Sequence, residues 1–484
     1  MDLKKAKKFL AFIVAGYWVL AIVIYLIAGP QFHYKNVMSD AYSATATIGD
    51  LTDNVIVKQQ LTMPAEEITG FEMLVSTYGR INTGTLHIVL CNGDGVAVFK
   101  QDVDIAKFEH GKYNLVTFDT PLKTEHGESL NLILTTTGCE TGNAISLYYG
   151  NSIATGRADI VQNIPEDECY AMNDQVGAGK LCLKIQGVRQ LMFYKVYWPI
   201  VLTVFTLAMI ISICWWKQAE QGKNNPLVSV CTLYTRYSFL IQQLVARDFK
   251  TKYKRSALGM AWSFLNPLLT MSVQYLVFAM LFESDIPNYP VYLLSGIVFY
   301  NFFNEAVSMG MTSITGNAAL IKKVYMPKCI YPVSRILSSL INFVFAIIPL
   351  FLVMFLTGTA FKPALLLLIF DILCMLGFVM GMGLLMTTAM TFFQDTQFLW
   401  GVLSMMWMYL TPVFYPESII SAEILPIYRV NPLYQYISFA RTCLIEGISP
   451  EPMAYFGCIV SSLVVLGVGI WTFKRHQDKF VLYL

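Results

Sequence analysis

The sequence predicts an α-helical polytopic membrane protein, with about eight transmembrane helices per chain and re-entrant outer helices, that carries an extracellular all-β sandwich. Composition is the first reason. Of 484 residues, 55% are hydrophobic and only 14% are charged, whereas soluble domains average ~25% charged residues. The second reason is the pattern, because apolar runs of spanning length flank one polar segment of short alternating stretches. Together these observations exclude a soluble, disordered or collagenous chain.

The first apolar run, residues 9–28, follows four lysines and is long enough to cross ~30 Å of hydrocarbon as a helix. A signal peptide is the competing interpretation, but Ala28-Gly29-Pro30 does not provide an A-x-A cleavage pattern. We therefore expect a retained helix in a first segment, 1–32. The lysines predict that the N-terminus lies in the cytoplasm.

Residues 33–192 are predicted to form the β-sandwich. Short stretches rich in Val, Ile, Thr, Leu and Tyr alternate in polarity, and turn sequences such as Asn92-Gly93-Asp94-Gly95 separate them. Asp102-Val-Asp104 looks like a glycosyltransferase D-x-D sequence, although the end of a solvated strand is the favoured interpretation. Cys169 and Cys182 either pair or remain free thiols, and the sequence leaves both possibilities open.

A second spanning helix is expected in residues 193–217, which places the β-sandwich outside the cell. A cytoplasmic linker, 218–257, follows. Within it, residues 237–255 combine apolar residues at helical spacing with many basic residues, which predicts an amphipathic helix at the membrane interface. A solvated cytoplasmic helix is the alternative.

The remaining segment, 258–484, is predicted to hold six spans, at 258–282, 292–311, 333–356, 364–391, 398–413 and 455–473. Basic residues concentrate in alternate loops, which predicts that both termini are cytoplasmic. The proline-rich segment 412–452 contains apolar pieces too short to cross, so we expect a re-entrant pair on the outer side.

Several motifs between residues 230 and 484 occur in a fixed order. They are Arg247-Asp248, Ser256-Ala-Leu258-Gly259, Trp262 to Pro267, Tyr289 to Gly296, Leu320 to Pro327, Thr411 to Pro416 and Asn431-Pro432-Leu433. Each motif is weak alone. In this order they resemble the permease subunits of ABC-2 exporters for polysaccharides, O-antigens and teichoic acids, over roughly residues 230–484. Phe393-Gln394-Asp395 departs from that pattern, since many members have Arg-Asp there.

The resemblance implies a homodimeric permease in the bacterial plasma membrane that moves an undecaprenyl-linked polysaccharide. A separate nucleotide-binding ATPase subunit, in two copies, would supply the energy. Gly177-Ala-Gly179-Lys180-Leu181 is the nearest approach to a P-loop and lacks its first glycine and its hydroxyl residue. We therefore expect that the chain is not an enzyme and binds no cofactor itself, and that ATP and Mg²⁺ bind to the ATPase subunit. Cysteine and histidine spacing predicts no metal site.

Alternatives to a polysaccharide exporter remain open at this stage. A teichoic acid exporter belongs to the same class. A membrane-anchored glycan receptor or glycosyltransferase accessory would explain the β domain but not the interfacial helix or the proline-rich segment. A peptide or drug exporter is a weaker option.

Four groups of side chains are candidates for these roles. The resemblance implies that the ATPase contacts residues 237–255 and 314–330, with Arg247, Asp248, Lys250, Lys322 and Lys323 at the contact. A basic rim of Lys252, Lys254 and Arg255 would receive the lipid pyrophosphate, with ordinary positive-inside topology as the alternative. Aromatic residues would line the channel or else form helix packing and the interfacial belt: Trp262, Phe264, Tyr275, Trp407, Tyr409, Phe414 and Tyr415.

The fourth group lies in the β domain. Residues 71–90 resemble jelly-roll modules of bacterial envelope polysaccharide proteins. That resemblance implies a glycan-binding surface, for which the candidates are Tyr78, Arg80, Asn82, Tyr148 and Tyr149. The alternative is a folded cap or spacer that binds no glycan.

Overall fold

The computed structural model describes residues 3–39, 42–153, 160–161, 164, 168–221, 226–252, 259, 261–282, 288–323, 326–420 and 424–483. The chain divides into two compact units. Residues 1–32 and 193–484 form a helical unit, and residues 33–192 form an all-β unit. The predicted combination of a helical membrane domain and an all-β domain is therefore confirmed.

The β unit contains two large antiparallel sheets. One has the order β1-β15-β4-β9-β14, with β2 on β9 and β7 on β4; the other has the order β13-β12-β3-β8-β5-β6. The strands are β1 Tyr34–Met38, β2 Ala46–Thr47, β3 Val57–Thr62, β4 Glu67–Ser76, β5 Thr85–Cys91, β6 Ala97–Asp104, β7 Lys112–Lys123, β8 Ser129–Thr137, β9 Ser146–Gly150, β10 Ser152–Ile153, β11 Ile160–Val161, β12 Ala171–Met172, β13 Gln175–Val176, β14 Lys180–Leu181 and β15 Leu183–Gln190.

The two sheets share one apolar core. Burial alternates along β3 and β8, as expected for strands with one face inside. Phe71 of one sheet meets Phe118 edge-to-face with 5.0 Å between ring centroids, and Phe99 of the other sheet stacks on Phe118 at 4.0 Å. The domain is thus a two-sheet structure, and its jelly-roll type stays a prediction.

Asp102 and Asp104 have structural partners in this domain. Asp102 Oδ1 lies 2.6 Å from Nδ1 of His87 on the neighbouring strand. Asp104 caps the following turn by accepting a hydrogen bond from the backbone N–H of Ala106 at 3.0 Å. Both contacts agree with a strand end and not with a nucleotide-sugar site.

The helical unit is built from long apolar helices and several short ones. The helices are α1 Leu3–His33, α2 Phe193–Glu220, α3 Pro226–Lys252, α4 Ala261–Phe282, α5 Tyr289–Met311, α6 Ala318–Lys323, α7 Ile330–Leu356, α8 Leu368–Phe392, α9 Thr396–Tyr409, α10 Leu425–Val430, α11 Pro432–Arg441, α12 Pro452–His476 and α13 Phe480–Tyr483. The two short helices α10 and α11 lie where the sequence predicts a re-entrant pair.

The number of spans, eight by the sequence, stays a prediction. Among the described residues, five helical segments are long and apolar enough: Lys7–His33, Phe193–Gln218, Ile330–Leu356, Pro363–Phe392 and Pro452–Tyr483. Helix α9, at the predicted span 398–413, has only 14 residues, or ~21 Å of helix, which is shorter than the ~30 Å hydrocarbon core. It ends at Tyr409, three residues before Pro412. Helices α4 and α5, with 22 and 23 residues, are also long enough to cross.

The backbones of helices α8 and α12 are in close contact at two glycines. A Cβ added to Gly381 would overlap the backbone of Val465, and one added to Gly469 would overlap the carbonyl group of Gly381. Small residues permit this kind of close packing where lipid removes the usual hydrophobic driving force. The glycines therefore fix how these two helices cross.

We predict that Gly469→Ala destabilises the helical unit by about 1–3 kcal/mol, the usual cost of overpacking. Gly467→Ala on the same helix is the matched control, since its added Cβ meets no atom within 4 Å. Thermal unfolding of both variants in detergent measures the difference. Equal melting temperatures would contradict the close contact.

Cys182 carries a free thiol and is buried, so the disulfide with Cys169 that the sequence left open is not formed. Burial raises the pKa of the Cys182 thiol to about 12. Because the thiolate is the reactive form, its population near pH 8 falls about a thousandfold from that of an ordinary cysteine.

We predict that iodoacetamide at pH 8 leaves Cys182 unmodified in the folded chain and modifies it after unfolding. Mass spectrometry of peptides from both samples gives the readout. Rapid labelling of the folded chain would show that the thiol is accessible, and recovery of a Cys169–Cys182 cross-link would contradict the free thiol.

Candidate functional site

The C-terminal end of α3 is fixed to α7 through a buried carboxylate. Asp248, whose side chain is 4% exposed, accepts hydrogen bonds from Arg247 at 2.9 and 3.1 Å, and its other oxygen lies 3.3 Å from Nε of Arg335 on α7. Phe249 stacks on Phe345 of α7 with 5.7 Å between centroids. Since a buried carboxylate needs compensating donors, Asp248 ties α3 to α7.

A second ion pair joins the end of α3 to α5. Nζ of Lys252 lies 2.7 Å from Oε1 of Glu305, and the Asn342 amide of α7 donates to the same oxygen at 2.6 Å. This group of three side chains closes one side of a cavity between α3, α4, α5 and α7.

We call this space the polar cavity. Its volume is about 380 Å³, and it is lined by Lys252, Trp262, Asn266, Pro267, Val298, Asn301, Phe302, Asn304, Glu305, Ser308, Ser339, Asn342, Phe343 and Ala346. Nine of these fourteen side chains carry a hydrogen-bonding group. Polar side chains are costly inside a membrane bundle and usually mark a functional path. The cavity is therefore the strongest candidate site in the helical unit.

The cavity brings together two residues from separate predictions, Lys252 from the lipid entrance and Trp262 from the channel aromatics. Sequence reasoning missed the others, although a signal exists. On α5, Asn301, Asn304, Glu305 and Ser308 follow i, i+3, i+4, i+7 spacing. That spacing places them on one face of a helix that was assigned as an ordinary span.

The chain between α9 and α10 is held by side chains from α5 and α11. Buried Arg441 donates to the carbonyl oxygens of Pro412 at 2.6 Å and Val413 at 2.9 Å, and its guanidinium lies 3.4 Å from the ring centroid of Tyr292. The hydroxyl of Tyr289 donates to Phe414 O at 2.9 Å. These bonds satisfy carbonyl groups of the non-helical segment that follows α9.

Most of the predicted channel aromatics lie near this segment. Phe414 is buried and stacks on Phe278 at 5.7 Å. The indole N–H of Trp407 donates to Asn431 Oδ1 at 2.9 Å, which supports the N-cap of α11. Tyr275 lies beside Tyr289. The Tyr415 hydroxyl donates a hydrogen bond to the backbone carbonyl of Tyr409, whose own side chain is exposed. Phe264 is half-buried on α4. Apart from Trp262, none of them is among the described residues that line the polar cavity.

The basic residues predicted at the ATPase contact and the lipid entrance lie on α3, on α6 and outside the described residues. Lys250 is exposed on α3, and Lys322 and Lys323 are exposed at the end of α6. Lys254 and Arg255 lie outside the described residues, as do Ser256 to Leu258 of the predicted turn. The role of each remains a prediction.

The candidate glycan residues of the β unit form two neighbouring groups. Arg80 lies over the ring of Tyr78 at 5.2 Å on the loop after β4, and Ser76 at the end of β4 pairs with Ser146 at the start of β9, which carries Tyr148 and Tyr149. Asn82 is 1% exposed and donates to Thr77 O at 3.3 Å. Its side chain shapes the loop instead of facing a ligand.

We predict that Arg441→Met destabilises the helical unit by about 2–3 kcal/mol, because buried carbonyl groups lose a charged donor. Arg441→Lys should recover only part of the loss, since an ammonium cannot reproduce the planar fork. Arg429→Met, an exposed arginine of α10, is the control. Thermal unfolding in detergent measures all three, and a stable Arg441→Met variant would contradict the assignment.

Comparison with known proteins gives consistent matches for the helical unit. Residues 239–445 match the model of the ABC-2 type transporter membrane family. The chain is 29% identical over 252 residues to the O-antigen export system permease protein RfbA of Myxococcus xanthus and 28% identical over 249 residues to that of Klebsiella pneumoniae, covering 95% of each relative and about half of this chain. The polysialic acid transport protein KpsM of Escherichia coli is 20% identical over 246 residues, again 95% of its length.

A comparison with solved structures matches the VP2 subviral particle protein of infectious bursal disease virus, with 15% identity over 32% of this chain and 40% of that chain. The TM-score is 0.16, and a likeness at that level says nothing about the fold.

Proposed function

We propose that this chain, whose residues 239–445 carry the ABC-2 type transporter domain, is the transmembrane subunit of an exporter for lipid-linked cell-surface polysaccharide in the bacterial plasma membrane. The observation that carries the proposal is the similarity to O-antigen export permeases over 95% of their length. The polar cavity inside an otherwise apolar bundle supports it, because a sugar chain needs hydrogen-bonding groups along its path.

A separate ATPase subunit drives transport in this proposal, and two permease chains pair with two copies of it. Helix α3 is the proposed receiver of the ATPase movement. Its end is connected to α7 through Asp248 and Arg335 and to α5 through Lys252 and Glu305. A displacement of α3 would therefore be transmitted to α7 and α5, two helices that line the polar cavity, through these two ion pairs.

The orientation follows from the basic residues at the end of α3 and in α6, which belong on the cytoplasmic side together with both termini. The β unit then lies outside the cell, where we propose that Tyr78, Arg80, Tyr148 and Tyr149 contact the emerging glycan. Calorimetry of polysaccharide binding to the full chain, with and without Tyr78→Ala, tests that part separately. A teichoic acid polymer is the alternative cargo of the same class.

Affinity purification of the tagged chain from its native membrane tests the proposal. A P-loop ATPase in equal amount and a co-purified lipid-linked glycan are the expected result. Recovery of a glycosyltransferase or wall enzyme without an ATPase, under gentle extraction, would instead favour the receptor or accessory function.

We predict that charge reversal at the end of α3 reduces coupling. Lys250→Glu is the cleaner variant, because Lys250 is exposed whereas Arg247 also supports buried Asp248. Both Lys250→Glu and Arg247→Glu should lower the ATPase rate of the assembled transporter and its export, since they place an anion at the proposed contact. Lys107→Glu in the β unit is the control, and unchanged export in Lys250→Glu would contradict the contact.

A further inference from the structure

We propose that a groove between α8 and the end of α12 holds one anionic glycerophospholipid of the surrounding bilayer as a resident ligand. This space, the α8–α12 groove, has a volume of about 610 Å³ and is lined by Leu385, Met386, Thr388, Ala389, Phe392, Phe393, Thr472, His476, Lys479 and Tyr483. Its described lining shares no residue with that of the polar cavity. The proposal goes beyond the proposed function, because it concerns a lipid that stays in place and not the cargo.

One wall of the α8–α12 groove is apolar. Five lining residues of α8 follow i, i+1, i+4, i+7, i+8 spacing, which places them on one helix face: Leu385, Met386, Ala389, Phe392 and Phe393. The first four are half-buried and Phe393 is exposed. Helix α8 belongs to the segment Pro363–Phe392, which is long and apolar enough to cross a membrane. This wall therefore suits an acyl chain.

The other end of the groove is basic. Lys479 is exposed in the 3₁₀ turn Gln477–Lys479, which follows α12. Among the described residues, no carboxylate lies within ion-pairing distance of its ammonium group, whereas Lys252 at the polar cavity is paired with Glu305 at 2.7 Å. Basic residues at the end of a spanning helix lie at the level of the lipid head groups. The Lys479 ammonium can therefore donate to a lipid phosphate.

An aromatic contact joins the apolar wall to the basic end. The ring of Phe392 lies 5.7 Å from that of His476 and 4.8 Å from that of Tyr483, both in edge-to-face geometry. His476 Nδ1 donates to the carbonyl oxygen of Thr472 at 2.9 Å, which fixes the imidazole. The groove thus changes from apolar to basic across a single aromatic ring. Anionic lipid head groups bind in basic pockets between membrane helices, and a glycerophospholipid matches both ends.

The glycine contact between α8 and α12 indicates a resident lipid. Gly381 and Gly469 bring the two backbones together, and the groove begins only four residues later at Leu385 and three residues later at Thr472. Helices packed this closely leave no passage between them. A lipid bound in the groove therefore cannot move on between α8 and α12, as a transported lipid-linked polymer would have to do.

Native mass spectrometry of the purified full chain tests the proposal, with dioleoylphosphatidylglycerol and dioleoylphosphatidylcholine as the probes and no ATPase present. One phosphatidylglycerol per chain should be retained in preference to phosphatidylcholine. Lys479→Gln should weaken its binding about tenfold, the effect of one lost contact to a charged group. Lys474→Gln is the matched control, because it removes the same charge from an exposed position on α12 outside the described lining of the groove. It should bind as the parent does.

Ala389→Phe places a large side chain in the groove and should abolish retention of phosphatidylglycerol. If that variant fails to fold, Lys479→Gln still decides, since Lys479 is exposed. Equal weakening by Lys474→Gln and Lys479→Gln would overturn the proposal, because the whole helix end would then attract the lipid. Displacement by equimolar undecaprenyl pyrophosphate, or by inorganic phosphate alone, would overturn it too.

The lipid measurement is independent of the exporter assignment. It uses neither the ATPase nor transport, so loss of the exporter function leaves the expected lipid binding unchanged. Absence of a retained phosphatidylglycerol would reject the α8–α12 groove as a lipid site and leave the proposed function as it stands.

Discussion

The structure of the helical unit depends on the hydrogen bonds made to the backbone carbonyl groups of the non-helical segment that follows α9. Backbone at membrane depth must find protein partners when it leaves the helix. Arg441 from α11 and the hydroxyls of Tyr289 and Tyr292 from α5 supply the donors for residues 412–415. Because these donors come from two different helices, the non-helical segment also holds α5 and α11 together. The stacked aromatic residues around it then fill the space that the backbone bonds define.

Two further contacts connect that framework to the end of α3. Asp248 and Lys252 lie four residues apart, one turn of the same helix, yet they reach different partners, Arg335 on α7 and Glu305 on α5. Such pairs are worth little when exposed, but here one carboxylate is almost completely buried. Helix α3 is consequently attached to the bundle by charge as well as by apolar packing, and its position and that of the cavity walls are linked.

The sequence predicted the large divisions well and the site only in part. Alternation of polar and apolar residues is a local signal, so the β unit and the long helices could be recognised. The end of α9 at Tyr409 could not be placed from hydropathy, because residues 410–415 remain apolar while their carbonyl groups bond to Arg441 and the two tyrosines. The polar cavity was missed because Glu305 and Asn342 are far apart in sequence, and only the packing of α5 on α7 brings them to one oxygen–nitrogen contact of 2.6 Å.

The glycine contact between α8 and α12 restricts how these two helices can move against each other. Backbone atoms that already touch at Gly381 and Gly469 leave the two helices no room to slide or rotate past each other. We therefore expect α8 and α12 to keep their relative position when the helices around the polar cavity move.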